Sequence, residues 1–308
     1  MQNTELRPYG AGELLDRAVT LFVRQFVPIV VVLAVVIVPL AALQAYVSPE
    51  SARVFTDLGK VLTAGSPAAQ REAADAMSLH QGNAGLIVGF VFIDLLVRLL
   101  MWGAVIALIA SAYTGARVTI AQAYRVGLRR WLPQLVVGFA FAVIGVLVAI
   151  PLFIVYFVLI LAVLATAVLK LFALTLAVAI VGGLAVLAAV VITIAWVFMA
   201  YELATFAVVT ETSNPIEAVG TAVRRGLSRG MRWRTVAGGL VVLLVSQAGS
   251  IPLIVVGALA SAATHVDALY FAVIGAGAVL LEGLVATFVV VYAVDVRVRR
   301  EGWDIMAS

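Results

Sequence analysis

Between Leu132 and Thr210 the chain carries only two charged side chains, Lys170 and Glu202. A soluble domain is about 45–50% apolar and could not bury so long an uncharged run. Here 64% of the residues are apolar, and the mean hydropathy is +1.17. A membrane-spanning helix takes about 20 apolar residues, so the run predicts two spans and a turn. The turn is expected within Thr166–Phe172, where Lys170 is the one side chain that water stabilises. The two helices then exceed what a bilayer requires, so they tilt, break or protrude. Pro151 is the expected break.

The same length rule marks Ile29–Val47, Gly85–Tyr113, Pro133–Val158, Ala177–Val209, Thr235–Ala263 and Leu269–Val294. The expected fold class is therefore an all-α integral membrane protein with six transmembrane helices. The first 28 residues are too long and polar for the n-region of a cleavable signal, and none is expected. There is no cysteine, which excludes disulfide and thiolate chemistry. The two histidines, His80 and His265, stand far apart and form no metal-ligand spacing, so neither a metal nor a cofactor is expected. All but two of the 20 basic residues are arginines, mostly beside apolar spans. That placement reads as membrane topology and anionic-lipid contact rather than nucleic-acid binding.

Arginine placement also predicts orientation. Arg7, Arg17, Arg24, Arg117, Arg125, Arg129, Arg130, Arg224, Arg225, Arg229, Arg232, Arg234, Arg297, Arg299 and Arg300 fall on one side of the six spans. Only Arg53, Lys60, Arg71 and Lys170 fall on the other. Positive loops stay in the cytoplasm, so both termini are expected there. The external loop 48–84 holds two amphipathic stretches, which form either a small cap or a solvated hairpin.

Three segments align with one another: LLDRAVTLFVRQFVP (14–28), TIAQAYRVGLRRWLP (119–133) and PIEAVGTAVRRGL (215–227). Arg24, Arg129 and Arg225 share a column, and Pro28 matches Pro133. Each segment predicts a cytoplasmic interfacial amphipathic helix that feeds an odd-numbered span. Each odd span carries one proline in its outer half, at Pro39, Pro151 and Pro252. The expected unit is amphipathic helix, span, span, as a pseudo-threefold repeat over 1–117, 118–213 and 214–308. In such helices apolar side chains face the acyl boundary and arginines face phosphates, so Arg24, Arg129, Arg130 and Arg225 are candidate headgroup contacts. The alternative is that these helices only anchor topology.

LRPYGAGELLDRAVTLFVRQF at the start, NPIEAV with RWR in the third segment and YAVDVRVRREGWD at 292–304 carry a further signal. Together they resemble the glycerophosphoryl diester phosphodiesterase membrane-domain family of multi-span bacterial proteins. Tyr292, Asp295, Arg297, Arg299, Glu301, Gly302 and Asp304 form its most specific part. The Arg-Ser-aromatic element that members often carry is replaced here by Thr221, Ala222 and Val223. The resemblance implies a membrane module only. In fused members the phosphodiesterase chemistry belongs to a separate soluble barrel, for which this chain leaves no room. It also implies a bacterial cytoplasmic membrane location.

Asp94, Arg98, Glu202 and Glu282 are the charged residues at span depth. A charge at the bilayer centre costs about 2.5–3.5 kcal/mol on insertion scales, so such residues are candidates for function. Facing one interior, they would form a polar pathway for a solute or proton. Asp94 and Arg98 are also four residues apart on one helix face, where they neutralise each other as structural glue. Three readings follow. The first is a non-enzymatic scaffold or accessory subunit of a membrane or envelope complex, contacting anionic lipids and a possible membrane-protein partner. The second is a transporter or lipid-handling protein. The third, an intramembrane hydrolase, has no visible nucleophile–base constellation.

Overall fold

The computed structural model describes residues 9–48, Ser66, 84–264 and 266–301. The loop 48–84, both histidines and residues Arg7, Arg53, Lys60 and Arg71 lie outside that set, Ser48, Ser66 and Ala84 excepted. Among the described residues every regular element is helical. In order they are α1 (Ala11–Arg24), α2 (Phe26–Val47), α3 (Ala84–Tyr113), α4 (Ile120–Val168), α5 (Phe172–Ala177) and a π-helical turn (Val178–Gly182). Then come α6 (Gly183–Thr210), α7 (Pro215–Leu227), α8 (Arg232–Thr264) and α9 (Asp267–Glu301). Among the described residues six stretches are long and apolar enough to cross a bilayer: α2, α3, α4, Phe172–Thr210, α8 and α9.

Local chemistry sets the boundaries. Thr119 and Gln122 form a reciprocal capping box that starts α4: the Thr119 amide donates to Gln122 Oε1 and the Gln122 amide to Thr119 Oγ1, at 2.8 and 3.3 Å. Asn214 caps α7, accepting from the Ile216 amide at 3.1 Å, and Pro215 takes the first helical position. α4 ends in a Schellman turn. The Leu171 amide donates to the Thr166 carbonyl at 3.0 Å, the Lys170 amide to that of Ala167 at 2.9 Å. Lys170 takes the left-handed position, at φ 58°, which glycine usually occupies. Gly115 closes α3 in the same way, at φ 78°.

The turn after the third span thus falls at Leu169–Leu171, inside the expected segment. The break at Pro151 does not occur: α4 runs unbroken through Pro133 and Pro151. Proline removes one intrahelical bond, a loss that long apolar helices in a membrane protein absorb by small local adjustments. For the same reason the second amphipathic segment is no separate helix but the first turns of α4. By contrast α1 is set off from α2 at Gln25, and α7 from α8 by a turn that includes Gly230 at φ 89°.

The chain divides into two compact units. One comprises Tyr9–Trp131 and Leu244–Val291. Its core includes Ile29, Leu33, Val105 and Ile109, all buried. Glycines let its helices approach closely. A side chain at Gly283 would meet Phe22, Ile29 and Leu33, and one at Gly127 would strike the Leu100 carbonyl. Leu281 covers Gly249, and Leu253 covers Gly277, so α8 and α9 interlock within this unit. Tyr9 is buried with its hydroxyl 3.3 Å from that of Tyr113, and Arg17 lies 4.0 Å over the Tyr9 ring. Tyr124 donates to the Val32 carbonyl.

The second unit comprises Leu132–Leu243 and the chain from Tyr292 onward. Gly239 lies directly against the Ala195 carbonyl, and Gly238 against Tyr292 and Met199. The Phe141 and Tyr201 rings meet edge to face at 5.9 Å. Tyr292 donates to Thr235 Oγ1 at 3.2 Å, and Thr235 donates to the Met231 carbonyl at 3.0 Å.

Candidate functional site: charge clusters in the two units

In the first unit Arg98 stands halfway along α3, with Asp94 one turn earlier. Its Nε donates to both carboxylate oxygens of Asp94, at 2.9 Å each. Its Nη1 donates to Glu282 Oε1 on α9. Glu282 stands near the middle of α9. Its neighbour Gly283 lets α9 pack closely on Phe22, Ile29 and Leu33. One guanidinium thus closes on two carboxylates from two helices. Arg98 is 41% exposed, Asp94 25% and Glu282 24%. Charge-assisted bonds of this kind are roughly twice as strong as neutral ones and offset the cost of charge at span depth.

The sequence therefore pointed to three residues that the fold brings together. Glu202, the fourth, is buried in the other unit, next to Tyr201.

The second unit holds a network that sequence reading passed over. Glu211, just beyond α6, accepts from Arg225 Nη1 at 3.0 Å and Nη2 at 2.9 Å, a two-pronged pair. Arg297 Nε lies 3.5 Å from the same carboxylate. Asp295, completely buried, accepts from Arg299 Nε at 2.8 Å and Arg234 Nη2 at 3.4 Å. Two carboxylates thus brace α7, the start of α8 and the end of α9. Asp295, Arg297 and Arg299 belong to the terminal pattern noted in the sequence, whose Gly302 and Asp304 lie outside the described residues. Glu211 gave no sequence signal beyond an acid at the end of a span. Gln134 is another buried polar residue of this unit, and among the described residues neither of its amide atoms has a hydrogen-bond partner.

The basic residues read as headgroup contacts divide. Arg24 and Arg129 are exposed and Arg130 is half-buried. Arg225 is buried, with its guanidinium on Glu211. Among the described residues no group of three His, Cys, Asp or Glu side chains is spaced to hold a metal ion.

Six helices of this length and composition are those of a multi-pass, all-helical membrane protein. Comparison with protein-family models, with curated proteins and with solved structures finds no match for the chain.

Proposed function

We propose that the protein is a non-enzymatic scaffold or accessory subunit of a bacterial cytoplasmic membrane, with both termini in the cytoplasm and anionic lipids against its arginine-rich face. One observation carries this reading: charged residues are closed on one another as braces between helices. Arg98 joins α3 to α9, and Glu211 and Asp295 tie α7 and the start of α8 to the end of α9. Closed pairs hold helices in register, whereas a solute pathway needs polar groups that exchange partners.

The amphipathic helices support the lipid part. α1 buries Leu14 and Ala18 but leaves Leu15, Val19 and Val23 exposed along an adjoining stripe, with Arg24 beyond. An apolar stripe left open beside an arginine suits the acyl–headgroup boundary. Near α7, Leu227 and Trp233 are exposed among Arg224, Arg229 and Arg232. The orders α1–α2–α3 and α7–α8–α9 suit a unit of helix, span and span, and in the middle third the first turns of α4 take the place of the separate helix. The resemblance to the phosphodiesterase membrane-domain family suits a membrane module without the barrel.

The test uses purified protein in proteoliposomes with an imposed proton gradient. No protein-dependent flux is expected. Flux that Glu282→Gln abolishes would replace the scaffold by the transporter, the second reading, which the partial exposure of Arg98 favours. Neutralising Arg24, Arg129 and Arg130 together should reduce the anionic lipid that copurifies. Unchanged lipid would remove the headgroup contact.

A further inference from the structure

The hairpin formed by α4 and the helices that follow it is too long for an upright span. From Trp131 to Val168, α4 carries no charge. At 1.5 Å per residue that stretch is about 57 Å long. The hydrocarbon core is about 30 Å thick. The returning arm has no charge from Leu171 to Tyr201, about 46 Å at the same rise. The arms are real partners, because Gly182 in the π-helical turn lies against the Leu159 side chain. Most large side chains along both arms are exposed, among them Leu147, Phe153, Leu164, Leu176, Val181 and Leu187.

The tip is equally apolar. Val168 is 80% exposed and Phe172 78%, with Leu169 and Leu171 exposed between them. The single charge there is Lys170. A turn meant for water would carry Gly, Asn, Asp or Ser. A lone lysine ringed by large apolar side chains is instead the arrangement in which the aliphatic stem lies along acyl chains and the ammonium reaches a phosphate.

Geometry limits how a bilayer can cover this hairpin. Confining 57 Å to the hydrocarbon core would take a tilt of about 58°, beyond the roughly 40° that spanning helices reach. At about 40° the long arm covers about 44 Å, close to the ~40–45 Å of a bilayer with its headgroups. The geometry points to a steeply tilted hairpin whose tip, Val168–Phe172, inserts into the headgroup–acyl boundary of the leaflet opposite Leu132, with Lys170 on a lipid phosphate. The partner of this surface is the lipid leaflet itself. The inference does not depend on the scaffold reading, since it uses only length, exposure and charge.

Because the chain has no cysteine, single labels can be placed cleanly. Leu169→Cys, Phe172→Cys and Leu147→Cys, all at exposed sites, are made in the full chain. Each carries a nitroxide and is reconstituted in vesicles of phosphatidylglycerol and phosphatidylcholine. Collision with oxygen, which partitions into lipid, is compared with collision with a water-soluble nickel chelate. Expected is oxygen accessibility several-fold above that of nickel at positions 169 and 172, with both labels shallower than Leu147→Cys. Lengthening the acyl chains should move the two tip labels deeper. Nickel accessibility at 169 and 172 equal to that of a label free in water overturns the proposal. So does spin–spin broadening between tip labels that disappears on dilution with unlabelled protein, because a second copy would then cover the tip.

Discussion

Arg98 is the residue on which the first unit's charge balance turns. Its guanidinium answers Asp94 and Glu282 at once. Arg98→Leu leaves two carboxylates unpaired at span depth, and breaking a buried pair on one side costs about 3–5 kcal/mol. Because the cluster is only part-buried, a loss of about 1–3 kcal/mol is expected, read as a lower thermal midpoint in detergent. Glu282→Gln should cost less, since Asp94 still pairs the guanidinium. A larger loss from Glu282→Gln than from Arg98→Leu would refute that ranking. In the second unit Asp295 is fully buried between Arg234 and Arg299. Asp295→Ala is expected to cost about 3–5 kcal/mol, enough to cut the yield of folded protein severely. Arg225→Lys keeps the charge but gives up the two-pronged bond to Glu211, so it should also lower the midpoint.

Among the elements, α1 separates packing from lipid contact most cleanly. Leu14 and Ala18 hold it to its unit, and Val19 and Val23 do not. Val19→Asp with Val23→Glu should leave the thermal midpoint in detergent nearly unchanged yet reduce copurifying anionic lipid. A collapse in detergent would mean that these side chains pack on protein. Where α8 meets α6 the limit is steric. Gly239→Ala would drive a Cβ into the Ala195 carbonyl, and backbone there must move. Overpacking of this kind costs about 1–3 kcal/mol. Gly89→Ala meets open space and should be neutral. The spacing of Gly85 and Gly89 looks like that of Gly257 and Ser261 in sequence. Yet Gly257 lies against Tyr270, and Ser261 donates to Asp267 at 3.2 Å. Small-residue spacing says that close approach is possible, and the neighbouring element decides whether it happens.

Across the whole molecule, membrane sidedness follows from which loops carry the arginines. Under the proposed orientation a thiol at Ser66→Cys reacts with an impermeant reagent added to intact cells. A thiol at Arg224→Cys reacts only after lysis. The reverse pattern would invert the topology and with it the assignment of the arginine-rich face.

The number of spans and the position of the third turn were legible in the sequence because they depend on local quantities. Hydropathy over about 20 residues decides insertion, and one lysine in an apolar run decides where the chain turns. The continuity of α4 through Pro151 was not legible, because a proline lowers helix stability without revealing what surrounds the unbonded carbonyl. The partners of the charges were legible only where they are neighbours in sequence: Asp94 and Arg98 are one turn apart, so their pairing could be read directly. Glu282 came to Arg98 from another helix, and Glu211 came to Arg225 across a loop and most of α7 and to Arg297 across two spans. Those meetings are relations between distant segments that only the folded chain expresses.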